Sequence, residues 1–130
     1  MHISSEGKTT IANAGHLAPY LNGKELTMAG NLPLGLNDSI TYDQTTMQLK
    51  PKDRLLVITD GVIEAKNAKN ELFGFNRARS ISHLPAAFIV KAAEIFGQED
   101  DITVVSVARM AQEKEGEVTT PAPLKSAEVA

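Results

Sequence analysis

Acidic residues stand at two places in this chain where their types and spacing could do chemistry, each at one end of an apolar run. We call these two places, Asp60 and the pair Asp100–Asp101, the two acidic steps. A run of five apolar and β-branched residues leads into Asp60 and Gly61, and forty residues after Asp60 a second such run begins behind Asp100 and Asp101. Both runs have the composition of buried strands. If the strands are antiparallel neighbours, the end of the first adjoins the start of the second, so the carboxylates meet at one edge of the sheet.

Carboxylates gathered at one sheet edge have two interpretations, and their spacing leaves both open. They repel one another unless a cation lies between them, and oxygen-only ligands suit a hard divalent ion such as Mg2+ or Mn2+. In the second interpretation the aspartates only form turns, because Asp60 followed by Gly61 is also an ordinary turn signal.

Length and composition indicate one globular domain, expected at residues 1–109. The chain has 130 residues with 42% hydrophobic and 22% charged, which is ordinary for a folded domain with a modest core. A net charge of -3 without a basic stripe argues against a nucleic-acid partner. No run approaches the roughly 20 apolar residues of a membrane span, and the sequence has no cysteine. We therefore expect a cytoplasmic protein, with a disordered tail of low apolar content at residues 110–130.

The first half of the chain carries strand patterns, and helical patterns follow. Strands are expected at residues 8–13, 17–21, 24–28, 40–42, 46–49, 54–59 and 102–107, and helices at residues 75–82 and 85–96. Asn22 and Gly23 form a strong hairpin signal, because a type I′ turn needs positive φ at both central residues. Strands, then helices, then a strand indicate an α+β fold rather than alternating βαβ units.

Five segments share their order and spacing with one protein family. They are residues 12–19 (ANAGHLAP), 32–36 (LPLGL), 53–65 (DRLLVITDGVIEA), 71–74 (ELFG) and 100–105 (DDITVV). Together they resemble the C-terminal half of a bacterial PPM-type (PP2C-like) serine/threonine phosphatase of the sporulation-phosphatase and sigma-regulator branch. The resemblance covers residues 8–109. It implies part of an α-β-β-α sandwich of antiparallel sheets flanked by helices, with the family's N-terminal strands and helices absent.

The resemblance also implies a site and a reaction. Family members hold two Mn2+ or Mg2+ ions at one edge of the sandwich, and carry-over of the motifs makes Asp60 and Asp100 metal ligands, with Gly61 and Asp101 in supporting positions. The implied reaction is attack of a metal-activated water on a phosphoserine or phosphothreonine. No catalytic residue beyond the metal ligands is implied. The implied partner is a phosphorylated regulatory protein, such as an anti-sigma-factor antagonist, and the family's phosphatase domains are often joined to sensor domains.

Two parts of the comparison with the family stay open. His16 in the Gly-His-x-x-Pro segment is either a turn-shaping, packed histidine, or a general acid or a contact for phosphate. The family's N-terminal Gly-Gly-Asp and Asp-x-Ser-Gly-x-Gly motifs do not occur in this sequence, so half of the metal ligands are missing. We expect little or no phosphatase activity from the 130 residues alone. The alternatives are a fragment of a longer phosphatase, a truncated and inactive interaction module, a fold completed by exchange between identical chains, and a one-metal phosphate-binding domain.

Overall fold

Two antiparallel sheets and three helices make up residues 1–111, the part of the chain that the computed structural model describes. The strands are β1 (His2–Ile3), β2 (Lys8–Ala12), β3 (Tyr20–Leu21), β4 (Lys24–Glu25), β5 (Gln44–Gln48), β6 (Arg54–Ile58) and β7 (Val104–Ala108). The helices are α1 (Asp60–Ile63), α2 (Gly74–Ile81) and α3 (Ala86–Gly97). One sheet has the order β1-β2-β5 and the other β4-β3-β6-β7. This confirms the α+β class and the partial sandwich.

Two cores lie on the two faces of the four-stranded sheet. The helix-side core joins that sheet to the three helices through Tyr20, Leu56, Ile58, Val62, Ile63, Ala65, Phe73, Ala78, Ile89 and Ala93. The inter-sheet core lies between the sheets and consists of buried Ile11, Leu49 and Leu55, with partly buried neighbours around them. Alternation along β6 explains the division, because Leu55 and Leu56 must point to opposite faces of the sheet.

The Asn22-Gly23 turn is confirmed. Asn22 has φ 50° and Gly23 has φ 82°, as a type I′ hairpin requires. The Asn22 side chain also fixes this hairpin to β6, since its Nδ2 donates to Asp53 Oδ1 at 2.8 Å and its Oδ1 accepts from the Arg54 backbone N–H at 2.9 Å. The hairpin strands β3 and β4 are nevertheless only two residues long each, shorter than the sequence predicts.

The strand expected at residues 40–42 is wrong. β5 pairs with β2 from the Lys8–Gln48 pair to the Ala12–Gln44 pair, so β2 offers no partner to the residues that precede Gln44. An extended segment without a neighbouring strand leaves its backbone groups to water, so residues 40–42 remain a loop.

The helices lie close to their predicted positions. Pro85 stands just before the first turn of α3, where its missing N–H costs nothing. Ile89 and Ala93 form the buried face of α3. Phe96 of the same helix packs edge-on against Phe73 with ring centroids 5.3 Å apart. No helix among the described residues is long and apolar enough to cross a membrane. Most of the tail expected at residues 110–130 lies outside the described residues, which end at residue 111.

Candidate metal and phosphate site

The two acidic steps lie at one edge of the four-stranded sheet, as the sequence predicts. β6 and β7 are antiparallel neighbours whose last register pair on this side is Ile58 with Val104. Beyond that pair, the Thr59 backbone N–H donates to the Thr103 carbonyl at 3.0 Å, and the Thr103 N–H donates to the Thr59 hydroxyl at 2.9 Å. These bonds extend the pairing to the residues that adjoin both acidic steps.

Gly61 brings the two acidic steps into direct contact. A Cβ atom at this position would lie 2.3 Å from the Asp101 carbonyl oxygen and 3.5 Å from the Asp100 carbonyl oxygen. Only glycine therefore allows the start of α1 to lie this close to the segment that leads into β7. The contact brings the backbones of Asp60 and Asp100 to the same edge of the sheet, whereas a supporting role of Gly61 at a metal site stays a prediction.

Both candidate ligands are exposed and carry only local hydrogen bonds among the described residues. Asp60 Oδ1 accepts from the Gly61 backbone N–H at 3.1 Å, and Asp100 Oδ1 accepts from the Asp101 N–H at 2.7 Å. The carbonyl of Asp100 is held by the side-chain amide of Gln98 at 3.0 Å. Neither carboxylate is engaged in an ion pair within the described part of the chain, so both can accept a cation from solvent.

The fit to a metal is partial. Within residues 1–111, no group of three or more His, Asp or Glu side chains is placed so that it could hold an ion together. A hard divalent cation takes six or more oxygen ligands, of which water supplies several. Asp60 and Asp100 therefore suit two positions of an oxygen ligand set and do not complete it.

A second group of charges borders the site on the side of Asp100. Glu64, Lys66, Leu72 and Glu99 line a shallow depression together with Asp100. Lys66 Nζ pairs with Glu99 at 2.8 Å, and this hydrogen bond, with the charge of Glu99, raises the pKa of Lys66 above its ordinary value. Because Lys66 is engaged with Glu99, the depression has no unengaged cation among the residues that line it.

His16 lies on the other side of Asp60. Both residues line one small depression, together with Thr59 and Leu17. His16 is exposed, so it does not fill a core, and its Nδ1 lies 3.0 Å from the Leu17 carbonyl oxygen. The structure thus places His16 at the candidate site, whereas its contact with a phosphate stays a prediction.

Asn13 is the residue of this region that sequence reasoning missed. It is buried, its Nδ2 donates to the His16 carbonyl at 2.8 Å, and its Oδ1 accepts from the His16 backbone N–H at 2.8 Å. These reciprocal bonds fix the turn that presents His16 beside Asp60. The available signal was an asparagine three residues before the histidine, a position from which its short side chain can bond to the turn backbone.

Comparison with solved structures identifies the fold as that of PP2C-type phosphatase domains. The RsbU and RsbW domains of Rv1364c from Mycobacterium tuberculosis match with a TM-score of 0.62 and 22% identity, over 84% of this chain and 34% of that one. The PP2C phosphatase domain of SpoIIE from Bacillus subtilis, with a fragment of its regulatory domain, matches with a TM-score of 0.62 and 22% identity, over 79% of this chain and 35% of that one. The SiaA-PP2C domain of Pseudomonas aeruginosa gives a TM-score of 0.58 and 22% identity, over 76% of this chain and 46% of that one.

The family follows from the sequence match. The model of the Stage II sporulation protein E (SpoIIE) family matches residues 2–110, and the chain belongs to this family. Protein IcfG of Synechocystis sp. is 29% identical over 123 residues, which cover 81% of this chain and 19% of IcfG. The chain thus spans about a fifth of that curated relative and between a third and a half of the three solved structures. These matches confirm the family resemblance and the partial coverage.

Proposed function

We propose that this chain is the C-terminal part of a metal-dependent phosphatase domain that hydrolyses phosphoserine or phosphothreonine in a regulatory protein. The observation that carries the proposal is the contact at Gly61, which holds Asp60 and Asp100 at one sheet edge. Membership of a PP2C-type family supports the reaction class. A phosphorylated anti-sigma-factor antagonist is the proposed kind of substrate, and the cytoplasm the proposed location.

Each residue of the site has a distinct role in this proposal. Asp60 and Asp100 supply one carboxylate each to Mn2+ or Mg2+. The close contact between the backbones of Gly61 and Asp101 keeps the two carboxylates at the same edge of the sheet. When bound, the metal supplies an activated water and neutralises charge on the phosphoryl oxygens. The hydroxyl of Thr59 stiffens the edge by accepting the Thr103 N–H at 2.9 Å.

The incomplete ligand set limits what the 130 residues do by themselves. In the proposal, the remaining ligands are those of the family's Gly-Gly-Asp and Asp-x-Ser-Gly-x-Gly motifs, which this sequence lacks. Two carboxylates bind a hydrated divalent ion weakly, because few of its waters are displaced. We therefore expect weak metal binding and little or no turnover from the chain alone.

A thermal melt with and without about 5 mM Mn2+ tests the ligand assignment, because a ligand that binds only the folded state raises the melting temperature. The wild-type chain should gain stability with Mn2+, and Asp60→Asn and Asp100→Asn should each remove the gain. Asp43→Asn is the matched control, since Asp43 is an exposed aspartate in the loop before β5 and should leave the gain intact. An unchanged Mn2+ response in Asp60→Asn would show that the ligand assignment is wrong.

The second candidate is an inactive interaction module, and one observation favours it. Among the described residues β7 is an edge strand of its sheet, so its outward backbone N–H and C=O groups can pair with a strand of another protein. In that case Mn2+ should leave the melting temperature unchanged and Asp60→Asn should have no effect on partner binding. Release of phosphate from a phosphoserine peptide, lost in Asp60→Asn, would exclude this candidate.

A further inference from the structure

Three leucines are exposed on one short segment, residues 32–36, which we name the apolar loop. Leu32 is 52% exposed, Leu34 75% and Leu36 68%, and none of them belongs to either core. Single exposed leucines are common on protein surfaces, but three within five residues concentrate exposed apolar surface on one short segment. Exposed apolar surface of this kind commonly marks a site of interaction with another molecule.

The shape of the apolar loop projects these side chains outward. Leu34 and Gly35 form a turn in which Gly35 has φ +85°, and no atom lies within 4 Å of the position that a Cβ on Gly35 would take. Within the described part of the chain, residues 27–43 make no backbone–backbone hydrogen bond to another segment. No backbone hydrogen bond to another described segment therefore opposes a local adjustment of the loop when its leucines are covered.

One side-chain contact fixes the apolar loop to the candidate site. The Pro33 ring packs on Gly15, where a Cβ would lie 2.8 Å from Pro33 Cγ, and Gly15 has φ +82°. Gly15 lines the same depression as His16 and Asp60. The leucines thus begin at the rim of the depression that would receive the phosphorylated side chain.

We propose that the apolar loop is the docking surface for the phosphoprotein, and that it contacts apolar side chains next to the phosphorylated residue. This inference rests on the proposed function. A small phosphate ester held at Asp60 has no chain to reach the leucines, whereas a polypeptide bound in the depression extends past Gly15 and can contact the leucines on either side of Pro33. Asp60, Asp100 and Asp101 also repel a phosphate where no cation is bound, so apolar contacts beside the phosphate would add affinity that does not depend on charge.

Binding of a matched pair of peptides tests this docking surface. Two fluorescein-labelled phosphoserine peptides would be compared by fluorescence anisotropy in the presence of Mn2+, one with leucines flanking the phosphoserine and one with serines there. The wild-type chain should bind the leucine-flanked peptide about tenfold more tightly, as expected for burial of a leucine side chain. Leu34→Ser should remove most of this preference.

Ile95→Ser is the matched control variant. Ile95 is also 75% exposed, but it belongs to α3 and not to the apolar loop, and its substitution should leave the tenfold preference intact. The proposal is overturned if the wild type shows no preference, or if Ile95→Ser removes it as fully as Leu34→Ser. It is also overturned if sedimentation shows a dimer that Leu34→Ser dissociates, since the occupant would then be a second copy of the chain.

Asp60→Asn separates this inference from the proposed function. If the docking surface and the ligand assignment are both correct, Asp60→Asn lowers the affinity for the two phosphopeptides by the same factor and keeps the preference for the leucine-flanked peptide. If Asp60→Asn changes nothing while the preference persists, the ligand assignment fails and the docking surface stands. If Asp60→Asn weakens both peptides but the wild type shows no preference, the docking surface fails and the ligand assignment stands.

Discussion

The two faces of the four-stranded sheet differ in how completely they are covered. Ten buried residues form the helix-side core, whereas three form the inter-sheet core. The inter-sheet side also contains an open groove of about 250 Å³, bordered by Ile11, Leu17, Val57 and Val105 among others. Because stability scales with the apolar area removed from water, most of it must come from the helix side.

The better-packed face is also the one that positions the candidate site. Asp60 is the first residue of α1, and Val62 and Ile63 anchor this single turn in the helix-side core. A four-residue helix has no stability of its own, so its place depends on this burial. The carboxylate at Asp60 is therefore held through the helix side, and disturbance of the inter-sheet side should reach it weakly.

The largest expected effect compares a fully buried leucine of the helix-side core with a partly buried leucine at the edge of the inter-sheet core. Leu56→Ala removes a fully buried side chain from the helix-side core and should cost about 3 kcal/mol of unfolding free energy. Leu21→Ala, on the partly buried edge of the inter-sheet core, should cost about 1 kcal/mol, since part of the side chain is already in water. Urea unfolding of both variants measures the difference, and equal costs would contradict the contrast between the faces.

The next largest effect concerns the contact between the acidic steps. Gly61→Ala places a Cβ against the Asp101 carbonyl, so the backbone must shift, at a cost of about 1–3 kcal/mol. It should also remove any Mn2+ response, because the two carboxylates move apart. Gly30→Ala is the control, as no atom lies within 4 Å of its Cβ position and it should be nearly neutral. The melting temperatures of both variants with and without Mn2+ measure these effects. An unchanged Mn2+ response in Gly61→Ala would contradict the role of the contact.

A smaller effect is expected at the opposite end of β6. The Asn22 amide, followed by the Lys50 backbone N–H, lowers the pKa of Asp53 below its ordinary value. The folded state thus favours the ionised carboxylate, so this stabilisation is complete above the unfolded-state pKa and is lost as the pH falls through the lower folded-state pKa. Melting temperatures of wild type and Asp53→Asn should differ by a constant amount above about pH 5 and converge below about pH 4. A difference that widens with acid would show that the sign is wrong.

The smallest expected effect compares two neighbouring residues of β7 that face opposite sides of the sheet. Val104 packs against the helix-side core, whereas its neighbour Val105 faces the open groove and is 48% exposed. Val104→Thr should cost about 1 kcal/mol, because a hydroxyl is placed against apolar neighbours. Val105→Thr should stay within about 0.5 kcal/mol of wild type, as is usual for exposed positions. If Val105→Thr proves the costlier change in urea unfolding, the groove is covered in solution.

Local signals in the sequence were sufficient for several elements. The Asn22-Gly23 turn could be predicted because its positive φ angles depend on these two residues alone, and the structure confirms it. Helices α2 and α3 were found because their apolar spacing and Pro85 are local features. Residues 40–42 were misassigned as a strand because a strand exists only where a neighbour pairs with it, and pairing with β2 ends at Gln44.

The sequence by itself determined the family, helices α2 and α3, and the Asn22-Gly23 turn, because each of these signals is carried by residues close together in the chain. Only the tertiary structure decided that β6 pairs with β7, that Gly61 lies against Asp101, and that Pro33 packs on Gly15. Each of these contacts joins residues whose separation in sequence says nothing about their separation in space. Packing of the sheets and helices, which acts over the whole domain, sets those distances.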